Sequence, residues 1–366
     1  MKVLILGVAS VQLDAILELK KMGCETFACA MAKDGPGADA ADHFDIINVL
    51  DEEKLAEHIC KNGIDIVYST GSDLAIPVAC RLSERLGLPH FVSSNVAYIC
   101  NHKNSMREAL TKECKGNIPY QVLEEKATVT IGFPAILKPS DAQGQRGIFK
   151  INSQFEFEEH FDEAKKFSRE GKVIVERYVD GPEVSVNGYM VNGVMRFLVA
   201  SDRETWPEYT GLIHKHIVPG VAFSQDAKRQ LKEIAEDACN RIGIMNGPVY
   251  FQMKVADDHP YIIEMTPRLD GCHMWNLLRR SCGVNLMKLT FSHLLVDDVS
   301  ELNQNTGESK PMELVFWCQE PHTVMDRAAL ELPKDAEYHF YYYETGDTIR
   351  PVNGRYDKIG YYIRSL

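Results

Sequence analysis

The sequence predicts a mixed α/β protein in which a doubly wound parallel sheet is followed by an α+β core with antiparallel strands. Up to residue 100, apolar runs of strand length alternate with helical segments, and this alternation is typical of a parallel sheet covered by helices. Beyond residue 171, strand-length runs follow one another through short turns, which favours antiparallel pairing. The chain has 366 residues, of which 45% are hydrophobic and 25% charged, as expected for a globular protein of roughly two to three domains.

The first domain is expected at residues 1–100. Its predicted strands are 2–6, 24–30, 44–49 and 64–69, and its predicted helices are 13–20, 51–61 and 73–86. Ligands of such sheets bind at the carboxyl ends of the strands, here residues 7–10 and 69–73. The first turn has Gly7 but Ala9 and Gln12 where a dinucleotide site needs glycines. This argues against nicotinamide or flavin binding.

Three further segments are expected at 101–171, 172–298 and 299–366. The first carries predicted helices at 103–112 and 153–169 and strands at 135–138 and 147–152. The second carries strands at 173–176, 183–190, 194–200, 212–219, 249–255 and 261–265, with helices at 225–242, 273–282 and 285–295. An apolar stripe predicts the buried face of helix 225–242, and Gly243 is placed to end it. Residues 299–310 are polar and acidic, which favours a linker before a mostly β segment.

Charge and composition exclude several classes of protein. The formal charge of −12, from 52 acidic and 40 basic residues, argues against nucleic-acid binding. No apolar run reaches the roughly 18 residues that a transmembrane helix needs, so no membrane partner is expected. No secretory leader is evident at the start of the chain. The ten cysteines lack metal or Cys-x-x-Cys spacing and are interpreted as buried free thiols, including Cys60, Cys80 and Cys239. A cytoplasmic location is expected from this pattern.

The first candidate motif is an apolar strand that ends in Lys138 and continues into a polar loop. A lysine at a strand end can direct a compact positive charge at a ligand. A loop with Ser140, Gly144 and Gly147 can place backbone N–H groups around phosphates. The alternative is a surface hairpin with an exposed lysine.

The second motif places acidic groups at two strand ends. Glu176 ends a buried strand and is followed by Arg177, Tyr178 and Val179, and Glu183 opens the next strand. Carboxylates in such positions can accept hydrogen bonds from ribose hydroxyls, and the exposed backbone between them can bind an adenine edge. The alternative is a pair of solvated glutamates near a turn.

The third motif is a hairpin that brings Gln252 and Glu264 within reach of each other. Thr266 faces the same side as Glu264 by the period of two, and Arg268 follows. Oxygen ligands on adjacent strands suit Mg²⁺, and an arginine suits a phosphate or carboxylate. The alternative is an ion pair of Glu264 with Arg268 or another cation, because a carboxylate in an apolar strand needs a partner.

Taken in order, these segments resemble the ATP-grasp superfamily over roughly residues 1–295. The resemblance is carried by Asn101-His102-Lys103, Ile136-Leu137-Lys138 with its loop, Val175-Glu176-Arg177-Tyr178-Val179 and Glu264-Met265-Thr266-Pro267-Arg268. It implies a preceding α/β domain at 1–100, an A subdomain at 101–171 and a B subdomain at 172–298. Two residues depart from the usual pattern. Gln252 resembles the carbamoyl-phosphate-synthase branch, and Thr266 stands where asparagine is usual, which leaves one or two metal ions open.

The resemblance implies a carboxylate–amine ligase of the amino acid or peptide type that uses ATP and Mg²⁺ or Mn²⁺. A substrate carboxylate would attack the γ-phosphate, and an amine would attack the resulting acyl phosphate, releasing ADP and phosphate. The resemblance also implies a role for each matching residue. Lys103 and Lys138 would bind the phosphates, the loop Ser140–Gly147 would cover them, Glu183 would bind the ribose, and the adenine would be bound by Glu176, Arg177, Tyr178 and Val179. The metal ligands would be Gln252, Glu264 and Thr266, and the catalytic residues would be Arg268 and Lys138. The implied partners are small-molecule carboxylates and amines, with a homodimer as the candidate assembly.

Three more residues are candidates for the substrate side. Asp73 follows a predicted strand end and could hold an ammonium group, although a helix N-cap is the favoured alternative. Lys215 lies with His214 and His216 on a strand expected to face the site, the alternative being a polar sheet edge. His273 follows the arginine motif, or simply begins a helix. A small-molecule kinase, a carbamoyl-phosphate-type enzyme and a non-catalytic nucleotide-binding module remain as alternative functions, and the substrates are not specified by the sequence.

Overall fold

The first hundred residues form a four-stranded parallel sheet flanked by helices, which confirms the predicted doubly wound domain. The computed structural model of the protein describes residues 1–141, 146–305, 307–352 and 356–366. In this domain the strand order is β3-β2-β1-β4. The strands are β1 (Lys2–Leu6), β2 (Glu25–Ala30), β3 (His43–Ile46) and β4 (Ile66–Tyr68), and the helices are α1 (Ser10–Lys21), α2 (Gly37–Ala40), α3 (Glu52–Asn62) and α4 (Ala75–Leu86). Two short helices follow, α5 (Ser94–Asn101) and α6 (Lys103–Leu110).

The turn after β1 is filled by a side chain of the protein itself. Gln12 accepts a hydrogen bond from the Ala9 amide at 2.9 Å and donates one to the carbonyl of Thr70. Gln12 thus occupies the space beside Gly7 that a pyrophosphate would need in a dinucleotide site.

The next segment forms a smaller antiparallel sheet with the order β5-β8-β6-β7. Its strands are β5 (Tyr120–Leu123), β6 (Ala135–Pro139), β7 (Phe149–Ile151) and β8 (Val173–Arg177), and it is covered by α7 (Gln154–Lys166). Phe157 and Phe161 of α7 are buried in its core. β8 is hydrogen-bonded into this sheet, although the sequence pattern groups its residues with the segment that follows.

The largest sheet has eight strands in the order β13-β12-β9-β10-β11-β14-β16-β15, and every neighbouring pair is antiparallel. Its strands are β9 (Glu183–Val191), β10 (Val194–Trp206), β11 (Tyr209–Val218), β12 (Gly247–Ala256), β13 (His259–Thr266), β14 (Met312–Gln319), β15 (Ala336–Tyr341) and β16 (Asp357–Ser365). Helices α8 (Gln225–Ile242), α9 (Met274–Cys282) and α10 (Leu286–Val296) accompany it. The last three strands extend this sheet through the pairing of β14 with β11.

Helix α8 shows how directly the apolar pattern determines local structure. It spans the predicted residues, and its buried residues are those of the predicted stripe: Ala227, Leu231, Ile234, Ala235, Ala238, Cys239 and Ile242. Gly243 ends the helix with φ +95°, a conformation that costs glycine little because it has no Cβ.

One local prediction, that of a buried Cys60, was wrong. The segment predicted as a linker contains a short 3-10 helix, Ser300–Gln304, whose Leu302 is buried, and its role as a linker stays a prediction. All ten cysteines are free thiols, and Cys80 and Cys239 are buried, but Cys60 is exposed. Cys60 lies one position beyond Ile59, outside the buried stripe of α3. None of the helices in the described parts of the chain is long and apolar enough to span a membrane.

The strand register decides which side chains share a face of the large sheet. Gln252 lies opposite both Glu264 and Ser185, and Arg203 lies opposite His216. Side chains directly opposite each other on paired strands project from the same face. The larger sheet therefore presents one polar face toward the smaller sheet.

Candidate active site

A cleft of about 910 Å³ lies between the smaller and the larger sheet. Most of the residues that the sequence predicts for a nucleotide site meet there. The smaller sheet and the segments next to its strands contribute Lys138, Lys150, Glu176, Arg177, Tyr178 and Val179. The larger sheet contributes Glu183, Arg203, Thr205, Gln252, Lys254 and Glu264. Asp73 and Lys103 come from earlier parts of the chain. The cleft therefore combines several lysines with carboxylates from different strands.

Lys138 and Glu176 form an ion pair buried in the wall of this cleft. Lys138 Nζ lies 2.7 Å from Glu176 Oε2, and Arg107 Nε donates to Glu176 Oε1 at 2.9 Å. Burial opposes the charge on Glu176, but the two cations outweigh it and lower the pKa of this carboxyl to about 2. Burial lowers the pKa of Lys138. Both alternatives considered from the sequence, an exposed lysine and a solvated glutamate, are therefore wrong here.

Lys103 and Glu264 form a second ion pair, at the open side of the cleft. Lys103 Nζ lies 3.0 Å from Glu264 Oε1, and the Glu264 side chain is 48% exposed. Desolvation opposes the charge of both groups. Glu264 nevertheless raises the pKa of Lys103, and Lys103 with Lys138 lowers the pKa of Glu264. The cation that accompanies Glu264 is thus Lys103 rather than Arg268.

Glu183 and Gln252 meet on neighbouring strands of the larger sheet. Gln252 Nε2 donates to Glu183 Oε2 at 3.1 Å, and Arg203 donates to the same oxygen. This hydrogen bond uses the NH2 group of the Gln252 amide as a donor. The carbonyl oxygen Oε1 is the atom of this side chain that can bind a cation. Gln252 lies opposite Glu264 in the sheet, so oxygen ligands from two strands face the same part of the cleft.

Arg268 is buried beside the cleft and paired with Asp73 of the N-terminal domain. Arg268 Nε and Nη2 both lie 2.7 Å from Asp73 Oδ1, and Nη1 donates to the carbonyl of Leu269 at 3.0 Å. Burial opposes its charge, but Asp73 outweighs it and raises the pKa of Arg268. The Thr266 hydroxyl also donates to Asp73 Oδ1, at 3.1 Å. Thr266 thus lies at the Asp73–Arg268 pair. It does not line the large cleft, but it lines the small cavity beside Arg268, which Glu264 also lines.

Asp73 does not cap helix α4, so the favoured N-cap interpretation was wrong. The N-cap of α4 is Leu74, which makes no side-chain capping bond. The hydroxyl of Ser72 accepts from the Ala75 amide at 3.2 Å instead. Asp73 is left to hold Arg268, and its chain segment lies close to the loop after Arg268. A Cβ on Gly71 would be 2.7 Å from Gly271 Cα, so this approach requires glycine.

Two predicted substrate residues lie outside the cleft. Lys215 contacts Glu204 at 3.3 Å and Glu313 at 3.9 Å. It lies opposite Glu204 in the register, and so projects from the sheet face opposite to Arg203, which lines the cleft. His273 is buried, with Nδ1 2.6 Å from Asp14 and Nε2 2.7 Å from Tyr342. Its ring joins three parts of the fold and is not among the residues that line the cleft.

The segment after β8 borders the cleft with its backbone and with Tyr178. Lys150 Nζ lies 3.7 Å from the centre of the Tyr178 ring, and Lys254 Nζ donates to the carbonyl of Val179 at 3.4 Å. Arg177 is exposed and donates to the hydroxyl of Tyr261 at 3.2 Å. A flat aromatic ring at the edge of the cleft suits a planar heterocycle.

The predicted phosphate loop is only partly described. The hydroxyl of Ser140 is 3.4 Å from that of Ser168, and its carbonyl accepts from the Lys103 amide at 3.0 Å. Ser140 thus links the start of the loop to Lys103. Gly147 has φ +68°, and Gly144 lies outside the described residues.

Sequence reasoning missed four cationic residues of the cleft and its wall, namely Arg107, Lys150, Arg203 and Lys254. Lys254 lies two residues after Gln252 on β12, so the period of two gives it the same face. Arg107 lies four residues after Lys103, on the same side of a predicted helix. Both spacings are visible in the sequence, whereas no sequence signal pairs Arg203 with Glu183.

Comparisons with known proteins agree with this geometry. Residues 131–275 match the family model of the ATP-grasp domain. The chain is 22% identical over 241 residues to the carbamoyl phosphate synthase large chain of Thermoanaerobacter pseudethanolicus, covering 63% of this chain and 21% of that protein. It is 24% identical over 292 residues to alanine–anticapsin ligase of Bacillus subtilis, covering 71% of this chain and 61% of that protein. The chain therefore spans less than two thirds of the length of these curated relatives.

A solved structure extends the likeness over the whole chain. The L-amino acid ligase of Bacillus licheniformis superposes with a TM-score of 0.81 at 17% identity, covering 100% of this chain and 93% of that one. The cleft lies between the two antiparallel sheets of this fold. Residues 131–275 match an ATP-grasp domain, which confirms the resemblance inferred from the motifs.

Proposed function

We propose that the protein is an ATP-dependent ligase that joins a carboxylate to an amine through an acyl phosphate and releases ADP and phosphate. The observation that carries this proposal is the convergence of Lys103, Lys138, Gln252 and Glu264 on one cleft, with Arg268 beside it. Cations for phosphates, oxygen ligands for a divalent metal and a guanidinium for a developing phosphoryl charge are the groups that phosphoryl transfer requires. The relatives named as amino acid ligases support an amino acid as the carboxylate substrate.

The nucleotide fits the cleft by chemistry and by size. Lys138 and Lys103 supply positive charge on one wall, and each is already paired with a carboxylate that fixes its position. Glu183, at the start of β9, is the acceptor for ribose hydroxyls. The segment from Glu176 to Val179 is the site for adenine, with backbone groups for its edge and Tyr178 beside its plane. A cavity of about 910 Å³ is of the size typical for small-molecule and cofactor sites.

The metal ligands that fit Mg²⁺ or Mn²⁺ are a Glu264 carboxylate oxygen and Gln252 Oε1. When bound, the ion neutralises charge on the phosphoryl group that is transferred. Thr266 donates its hydroxyl proton to Asp73 and lines a different part of the site. These contacts favour Glu264 and Gln252 as the main protein ligands, with phosphate oxygens and waters completing the coordination.

Arg268 is placed to bind the acyl phosphate. Its guanidinium is fixed by Asp73 and by the carbonyl of Leu269, so little reorganisation is needed when charge develops on the phosphoryl oxygens. Asp73 borders both the cleft and a small cavity of about 50 Å³ next to Arg268. We assign to Asp73 the positioning of Arg268, with its exposed oxygen available to a substrate ammonium group.

The test is a substrate screen that follows ADP release. Purified protein is incubated with ATP, Mg²⁺ and pools of amino acids, other carboxylates and amines, added together and separately. ADP release that requires both a carboxylate and an amine supports ligation. Release with one acceptor alone would indicate a kinase, and release that requires bicarbonate would indicate the carbamoyl-phosphate-type chemistry that Gln252 resembles. Absence of ADP release with every pool would contradict the proposal.

A further inference from the structure

A second cluster of chemically reactive side chains lies deeper on the same face of the large sheet. His216, Asp270 and Cys272 are buried, and one possible ligand atom of each lies within 4.8 Å of the others. Within the described parts of the chain, His216 Nε2 and Asp270 Oδ2 have no hydrogen-bond partner. Buried polar atoms without partners are costly and uncommon. Both atoms belong to one cluster, where a single bound group would give each of them a partner.

The hydrogen bonds around His216 determine which kind of group is missing. Ser201 Oγ donates to the carbonyl of Ser185 at 3.3 Å. Since its only proton is used there, Ser201 Oγ must accept from His216 Nδ1, 3.2 Å away. The imidazole proton is therefore on Nδ1, and Nε2 presents a lone pair.

Asp270 presents a second lone pair. Its Oδ1 accepts from the Cys272 amide at 3.0 Å, which leaves Oδ2 as an acceptor toward the cluster. Two acceptors and a thiol in one cluster offer lone pairs to a cation, and the charges of Lys358 and Arg203 also act on all three residues.

We propose that His216, Asp270 and Cys272 bind a thiophilic divalent cation of the Zn²⁺ class, at a site separate from the metal site of the nucleotide. One nitrogen, one oxygen and one sulfur ligand suit zinc, whereas Mg²⁺ prefers oxygen alone. Tetrahedral zinc holds such ligands at about 2.0–2.3 Å, which places them about 3.3–3.8 Å apart. The ligand atoms, now within 4.8 Å of one another, need to close by about 1–1.5 Å at most, and a fourth position remains for water or a substrate atom.

The surroundings provide the outer contacts that metal ligands usually have. Lys358 Nζ donates to Cys272 Sγ at 3.4 Å, and Ser201 fixes the ring of His216. Such contacts orient ligands and set their protonation. A dication with one carboxylate and one thiolate is neutral overall, so the ammonium group of Lys358 faces no net positive charge.

Cobalt substitution tests the proposal without ATP or any ligase substrate, so its failure is separate from failure of the proposed function. The full-length protein is stripped with a chelator, kept in excess Mg²⁺ to fill oxygen sites, and titrated with Co²⁺. We expect about one equivalent to produce a thiolate-to-cobalt charge-transfer band and the strong visible absorption of four-coordinate Co²⁺. Added Zn²⁺ should abolish both. A folded wild-type protein without the charge-transfer band would overturn the proposal.

Variants assign the band to this cluster. Cys272→Ser should remove the charge-transfer band, whereas Cys60→Ser, at an exposed thiol, and Cys282→Ser, at another buried thiol of the same region, should keep it. Asp270→Asn leaves the thiol in place and should retain the band while weakening Co²⁺ binding by about tenfold or more. This last variant keeps the test decisive if Cys272→Ser does not fold. Persistence of the band in folded Cys272→Ser, or its loss in Cys60→Ser, would overturn the assignment.

Discussion

The ammonium group of Lys138 lies 2.7 Å from the carboxylate of Glu176, and both side chains are almost completely buried. Arg107 contacts the other carboxylate oxygen, so one carboxylate pairs with two cations in the wall of the cleft. Glu176 therefore fixes the position of Lys138, and in the proposed function it would act on the nucleotide chiefly through this lysine. The backbone that follows Glu176 remains the proposed adenine contact.

We predict that Glu176→Gln lowers the free energy of unfolding by about 3–5 kcal/mol, because removing one partner of a buried ion pair leaves uncompensated charge. Urea denaturation followed by circular dichroism measures this. Glu53→Gln is the matched control. Its carboxylate pairs with Arg85 on the surface, where solvent screens such a pair and its contribution to stability is small. Equal effects of the two substitutions would contradict the buried-pair assignment.

The same pair predicts the pH dependence of stability. The pKa of Glu176 is lowered from 4.5 to about 2 in the folded protein. A carboxyl with a lowered pKa stabilises the folded state above its unfolded pKa, and this stabilisation is lost as pH falls from 4.5 toward 2. The stability difference between wild type and Glu176→Gln, about 3 kcal/mol by this linkage, should be constant from pH 5 to 7 and shrink below pH 4.5. A difference that grows on acidification would contradict it.

We predict that Lys138→Met weakens ATP binding by about tenfold to a hundredfold, measured by isothermal titration calorimetry with Mg²⁺. The substitution keeps the apolar stem but removes a charge-assisted contact to phosphate, typically about 1.5–3 kcal/mol. Glu176 keeps Arg107 as its partner, so the fold should be retained. Lys126→Met removes a surface lysine paired with Asp162 and should leave affinity unchanged. Wild-type affinity in Lys138→Met would remove this lysine from the nucleotide site.

We predict that Glu264→Gln lowers the turnover number by on the order of a hundredfold to a thousandfold, the loss typical when one preorganised electrostatic contact to a transition state is removed. Its side chain is half exposed, so the variant should still fold. Glu204→Gln is a close control. Glu204 is exposed to 49% and lies 3.3 Å from Lys215, but on the other face of the sheet. Near-normal turnover in Glu264→Gln at saturating Mg²⁺ would make Glu264 only an ion-pair partner of Lys103.

The sequence predicted the elements of the fold well where one period dominates. Helix α8 has a single apolar stripe and a glycine at its end, and both its bounds and its buried face were correct. The motif order also predicted which residues meet in the cleft, because each motif lies at the end of a regular element. The prediction for Cys60 was wrong because this residue follows the last buried residue of an apolar stripe. One position along a helix turns the side chain by about 100°, which is enough to move it from the buried face to solvent.

The rest depended on contacts distant in the chain. His214, Lys215 and His216 are three consecutive polar residues on one strand, so their polarity does not show which of them faces the cleft. A shift of one position in the strand moves every side chain to the opposite face of the sheet. The pairing of Arg107 with Glu176, 69 residues later, and of Asp73 with Arg268, 195 residues later, follows from the packing of separate elements. No local pattern contains that information.

The last prediction concerns the products. We expect ADP and phosphate rather than AMP and pyrophosphate, because of where positive charge lies. In the proposed site, Lys103 and Lys138 would bind the inner phosphates, whereas Arg268 and a metal ion on Glu264 would bind the outer one, where transfer to a carboxylate develops charge. An enzyme that adenylates its substrate would instead concentrate cations at the α-phosphate.

Chromatography of the nucleotides and a hydroxylamine trap check this prediction together. With ATP, Mg²⁺ and the carboxylate substrate but no amine, hydroxylamine should convert the acyl phosphate into a hydroxamate, with one ADP formed for each hydroxamate. Omitting the carboxylate serves as the control and should abolish both products. Arg268→Lys keeps the charge but loses the planar two-point contact, so it should lower hydroxamate yield more than it lowers ATP affinity. Stoichiometric AMP would show that the reacting centre is the α-phosphate and would contradict the proposed chemistry.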